Sequence, residues 1–154
     1  MTKRYRVIEK ILYISYILFL LDFLIFSDWY GRGNVYSEIH YNLVPFQEIL
    51  RYWNYRDQLG MLSWANLLGN VAAFIPFGLL EGLILGRKNF LRTSLDGFLL
   101  SFIVEVFQLL FMVGSYDVDD LILNTVGAML GYIIFACCNT TRRVYDKNKN
   151  EKRA

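Results

Sequence analysis

The stretch Ser101–Phe111, SFIVEVFQLLF, decides how this chain is read. It is apolar except for Ser101, Glu105 and Gln108, which are spaced four and three residues apart. That spacing places all three on one face of a helix. A run of this kind reads as a helix whose greasy faces meet lipid and whose polar stripe turns inward to find partners.

Outward from this stretch, the apolar run extends over residues 94–113, close to the ~20 residues that cross a bilayer core as a helix. Three further runs of similar length cover residues 7–27, 64–85 and 121–138. The 154-residue chain is 55% hydrophobic and 17% aromatic, more apolar surface than a soluble domain of this size could hide. The expectation is an all-α integral membrane bundle of four transmembrane helices. One domain, residues 1–141, holds the spans, and residues 142–154 form a basic, disordered cytoplasmic tail. The first run lacks a small-residue cleavage site after it, so it reads as a retained anchor.

Charge sets the expected orientation. Thirteen of the sixteen basic residues lie before or in the first turn of the first run, separate the second from the third, or follow the fourth. Only Arg32, Arg51 and Arg56 fall on the other side. Both termini are therefore expected in the cytoplasm, with a multi-pass chain in the cell membrane. The net charge of +2 gives no ground for nucleic-acid binding.

The outer loop contains FQEILRYW, Phe46–Trp53, which aligns Phe46, Ile49, Leu50 and Trp53 on one stripe. A short helix in the outer interface, or one covering the bundle, fits this pattern, with Pro45 in its first turn. Between the second and third runs, Gly86 suits a helix C-cap, and Thr93 with Asp96 suits a capping box. Glu81 reads as a side chain snorkelling towards Arg87 or Lys88. Adjacent Cys137 and Cys138 read as reduced, buried thiols. His40 has no metal-ligating partner at a useful spacing, and no Gly-rich phosphate loop or other cofactor motif occurs.

The polar residues converge at one depth. Glu105 lies roughly 13 Å below the outer end of its helix at 1.5 Å per residue, and Asp22 roughly 8 Å from the end of the first. Ser101, Glu105, Gln108 and Met112 form one stripe. Asn66, Gly69, Asn70 and Ala73 form a second, and Asp120, Asn124, Gly127 and Gly131 a third. Gly127-x-x-x-Gly131, with Gly69 and Ala73, allows close helix approach, while Pro76 frees the carbonyl of Ala72 and predicts a kink. Asp117, Asp119 and Asp120 crowd the outer turn GSYDVDD. One of them is expected as an N-cap, and Asn caps as well as Asp. Three acids exceed what capping needs and invite a cation, an amine or a sugar hydroxyl. The expected ligand-binding set is Asn66, Asn70, Glu105, Gln108, Asp117, Asp119, Asp120 and Asn124. The competing reading makes the amides interhelical glue.

The order Asn42-Leu43-Val44-Pro45-Phe46, Gly69-Asn70, Phe74-Ile75-Pro76-Phe77-Gly78, Glu105, Gln108, Asp117, Asp120, Asn124-Thr125, Gly127 and Gly131 resembles the VanZ-like family of small integral membrane proteins. The resemblance covers residues 41–132. It implies a place in the bacterial cell envelope and a link to low-level resistance to the glycopeptide teicoplanin. It implies no established reaction. Many members carry an arginine before the outer aspartates, and this chain has none in VGSYD.

Three functions fit. The first is binding or shielding, in a polar outer-leaflet cavity, of a lipid-linked envelope precursor or a lipoglycopeptide. The second is an accessory or scaffold subunit without its own ligand. The third is an intramembrane lipid-modifying enzyme with Glu105 as general base. No Ser/His or Cys/His pair supports the enzyme. Membrane lipids are the expected partners.

Overall fold

The computed structural model describes residues 3–26, 41–84, 89–111 and 114–151. In chain order they form α1 (Lys3–Phe26), β1 (Tyr41–Asn42), α2 (Gln47–Asn54), α3 (Arg56–Leu59), α4 (Met61–Ile84), α5 (Phe90–Phe111), β2 (Tyr116–Asp117) and α6 (Val118–Glu151). The fold is all-α apart from one short parallel bridge, which pairs Tyr41 with Tyr116 and Asn42 with Asp117. Among the described residues three segments are long and apolar enough to cross a membrane: Met61–Ile84, Phe90–Phe111 and Val118–Thr141. α1 matches α4 in length at 24 residues, but Glu9, Lys10 and Asp22 interrupt its apolar character. It still contributes to the core through Leu20 and Leu24, which pack with Phe74, Phe77, Val104 and Ala128.

The bundle buries polar side chains beside its apolar core and turns further apolar ones outward. On α5 the buried residues are Thr93, Gly97, Ser101, Val104, Glu105 and Gln108, while Leu91, Ile103 and Leu110 face outward. This inversion suits a hydrocarbon surround, where apolar side chains gain nothing by hiding and polar ones must.

Backbone contact joins α4 to α6. A Cβ at Gly127 would stand 2.3 Å from the Val71 carbonyl oxygen, and one at Gly131 would stand 2.0 Å from that of Ile75. From the α4 side, a Cβ at Gly78 would stand 1.9 Å from the Ala128 oxygen. Gly69 and Ala73, expected to allow close approach on α4, border a cleft towards α1 with Tyr16 and Pro76. Pro76 sits within the continuous helix α4, and the Tyr16 hydroxyl donates to the Ala73 carbonyl just upstream. A proline unsettles the carbonyls one turn before it, and a neighbouring helix supplies the donor.

Several expectations change. α5 begins at Phe90, so Thr93 is interior and buried, and the capping oxygen is Asn89 Oδ1, which accepts from the Leu91 N–H at 3.0 Å. Glu81 does not snorkel: its side chain is 2% exposed. Asp22 is exposed and takes no place among the inward polar residues. Cys137 and Cys138 are free but exposed. The tail continues as helix to Glu151, because an existing helix extends without a new nucleation cost. Pro45 precedes α2 and does not enter its first turn. The expectations for His40, Gly86, Arg87, Lys88 and Met112 lie outside the described residues.

Candidate functional site

The outer ends of α5 and α6 meet in a turn that Glu105 holds. Its Oε2 accepts the Asp117 N–H at 2.9 Å, across the turn between the two helices. Asp117 then caps α6, with Oδ1 accepting the Asp119 N–H at 2.9 Å in the usual N-cap manner. The same oxygen accepts from Asn42 Nδ2 at 3.0 Å, which ties β1 to β2. Asn42 also accepts the Val44 N–H at 3.1 Å. It joins these bonds although only its place in the NLVPF motif marked it in the sequence.

Asp119 serves a different helix from its own. Its Oδ1 accepts the Phe46 N–H at 2.5 Å, and its Oδ2 accepts the N–H groups of Glu48 at 2.8 Å and Ile49 at 3.0 Å. Phe46 has φ of 67°, a left-handed conformation uncommon for a bulky residue. That bend turns three successive-turn donors towards one point and forms an anion-binding nest at the start of α2. Strain of order 1–3 kcal/mol at Phe46 is offset by charge-assisted bonds to a buried carboxylate. Asp119, 1% exposed, is therefore the dock for the outer helix.

The amides divide between helices. Asn70 Nδ2 donates to Asp120 Oδ1, joining α4 to α6. Asn124 Nδ2 donates to Ser101 Oγ at 2.8 Å, joining α6 to α5, and its Oδ1 is buried with no hydrogen-bond partner among the described residues. Gln108 Nε2 donates to the Leu24 carbonyl at 2.7 Å, satisfying one of the acceptors a helix leaves open in its last turn. Asn66 stands apart: it is half-buried and donates to its own helix at Leu62 O, 3.1 Å away. Glu105, Asp117 and Asp119 thus form one hydrogen-bonded chain, Asn70 with Asp120, Asn124 and Gln108 make separate links between helices, and Asn66 bonds within its own helix.

Electrostatics single out Asp117. Burial pushes its carboxyl above the usual range, the hydrogen bonds from Asp119 N–H and Asn42 pull it down, and the Asp119 charge raises it again. Burial also raises Glu48, against the pull of Arg51 at 2.5 Å. Tyr116 is raised by burial and then by the Glu105 charge. Among the described residues no hydrogen bond reaches the second oxygen of Asp117. No group of three metal-ligating side chains forms among the described residues.

Helices of membrane-span length, with polar side chains buried between them and apolar ones turned outward, define a small α-helical multi-pass membrane protein with an acidic layer at one end. The chain belongs to the VanZ/LLP1 family, whose model matches residues 12–139. It is similar to Protein VanZ of Enterococcus faecium, with 29% identity over 150 residues that span 96% of this chain and 81% of the relative. No solved structure matches it.

Proposed function

We propose that this protein resides in the bacterial cell membrane and holds the polar part of a lipid-linked envelope precursor or a lipoglycopeptide at its acidic layer, shielding it and contributing to teicoplanin resistance. The carrying observation is Asp117: half-buried, raised by burial, and with one carboxylate oxygen uncommitted at the mouth of the layer. A ligand hydroxyl or ammonium there would offset a desolvation that the protein alone leaves open. In this reading Asn70, Glu105, Gln108, Asp119, Asp120 and Asn124 would support the ligand's polar part from below, and Asn66, which bonds to its own helix, completes the proposed set.

In this reading α1 is a fourth span, both termini are cytoplasmic, and the layer faces outward. The thirteen-to-three basic asymmetry and the 24-residue length of α1 support this. The exposed Val44, Phe46, Leu50 and Trp53 suit an outer helix lying in the membrane interface. Residues 1–141 are the membrane domain, followed by a basic tail.

The scaffold reading has its own support, since Asn70, Asn124 and Gln108 all bond across helices. Thermal unfolding of the purified protein separates the two. Teicoplanin or a purified polyprenyl-linked sugar precursor is expected to raise the melting temperature, and Asp117→Asn to abolish that rise while leaving the unliganded value within a few degrees. No stabilisation of the wild type by either compound would leave the scaffold reading in its place.

A further inference from the structure

A groove of about 450 Å³ runs along the outer face where α5 meets α6, apart from the hydrogen-bonded layer. Phe98 and Phe102 line one wall, and Leu121, Ile122 and Val126 line the other. Tyr116 and Val118 close its outer end. The two rings of Phe98 and Phe102 stack at 6.4 Å with 17° between their planes, giving one continuous apolar wall. Thr125 also borders the groove, but its hydroxyl donates to its own helix at Leu121 O, 2.7 Å away, so it offers the groove no free donor. The sole polar group facing the outer end from this set is the Tyr116 phenol, beside Glu105.

We propose that this groove seats the hydrocarbon chain of a membrane amphiphile, with its head at the outer turn beside Tyr116. All the lining residues except Tyr116 lie within Phe90–Phe111 or Val118–Thr141, so the groove opens at the height of lipid chains. From Val118 to Val126 the wall descends roughly 12 Å at 1.5 Å per residue, a large part of one leaflet. Its size falls in the range of about 300–1,000 Å³ typical of ligand clefts.

The lining also decides against a second helix as occupant. Helices in membranes approach through small residues. Here those residues are already used: Gly127 and Gly131 meet α4, and a Cβ at Gly97 would stand 2.5 Å from that of Ala128. The walls of the groove are bulky and aromatic, which leaves room for a flexible chain between side chains but not for another backbone. The position of the head rests on the function proposed above, whereas the chain seat stands without it.

The test uses the full-length protein reconstituted in bilayers containing phosphatidylglycerol with a photoactivatable diazirine near the middle of one acyl chain. After irradiation, adducts are mapped by peptide mass spectrometry. The expected result is enrichment at Phe102, Leu121, Ile122 and Val126 over the α1 positions Ile11, Ile14 and Leu18, although those are the more exposed. Val126→Trp should reduce groove adducts at least threefold and leave those on α1 unchanged, which also reports that the variant is folded. Ile122→Phe, a milder filling, should give an intermediate loss. Asp117→Asn should leave chain adducts intact even if it abolishes protection by teicoplanin, so head and chain fail separately. Labelling in simple proportion to exposure, or groove adducts insensitive to both filling variants, would overturn the seat. Crosslinks between two copies through these residues would assign the groove to a second chain and overturn it equally.

Discussion

At the scale of single residues, neighbouring acids in one turn have unlike tasks. Asp117 uses one oxygen for both of its bonds, and Asp119 uses two. Asn offers one acceptor oxygen and one donor amide. Asp117→Asn therefore keeps every observed bond, while Asp119→Asn turns an N–H against the donors of Glu48 and Ile49. Asp119→Asn is expected to cost about 1–3 kcal/mol and to speed amide hydrogen exchange in α2, with Asp117→Asn near neutral on both measures. Asn is thus expected to serve as well as Asp at the cap, Asp117, and not at Asp119, for reasons of partner count. Asp117 also carries a pH signature. Its folded-state carboxyl is raised, so the folded protein binds the proton more tightly than the unfolded chain. Its penalty is absent below the ordinary carboxylate value and develops as pH rises through the raised one. Melting temperature measured upward from about pH 4 should fall less steeply in Asp117→Asn than in the wild type.

At the scale of elements, the α4–α6 seam is the least tolerant contact. Gly131 lies against the backbone of α4, where a carbonyl cannot rotate away as a side chain would. Gly131→Ala is expected to destabilise by about 1–3 kcal/mol or more, read as loss of folded protein on heating in detergent. Ile133→Ala, on the exposed face of the same helix, should stay within about 0.5 kcal/mol. Equal losses in both would show that the seam holds no special weight. The Gly127-x-x-x-Gly131 pattern was legible because small residues at helical spacing have few other uses in an apolar run. Its partner surface was not, since Gly69 and Gly78 are equally small and only packing selects Gly78.

At the scale of the whole molecule, orientation follows from charge distribution. A cysteine introduced at Ser37, in a background lacking Cys137 and Cys138, should react with an impermeant thiol reagent on intact cells. Labelling only after lysis would place the acidic layer on the cytoplasmic side and remove the proposed ligand classes. The sequence by itself determined that this is an all-α chain with span-length helices and that its polar residues turn inward. Length and hydrophobicity are local properties, and a bilayer imposes both on any helix that crosses it. Only the tertiary structure decided the division of labour. Asp119 reaches donors 70 to 73 residues back in the chain, Glu105 holds the turn of α6, and Asn66 falls back on its own helix. Those assignments depend on distances between helices, and side chains of the same type at the same spacing acquire different partners once the backbones have packed.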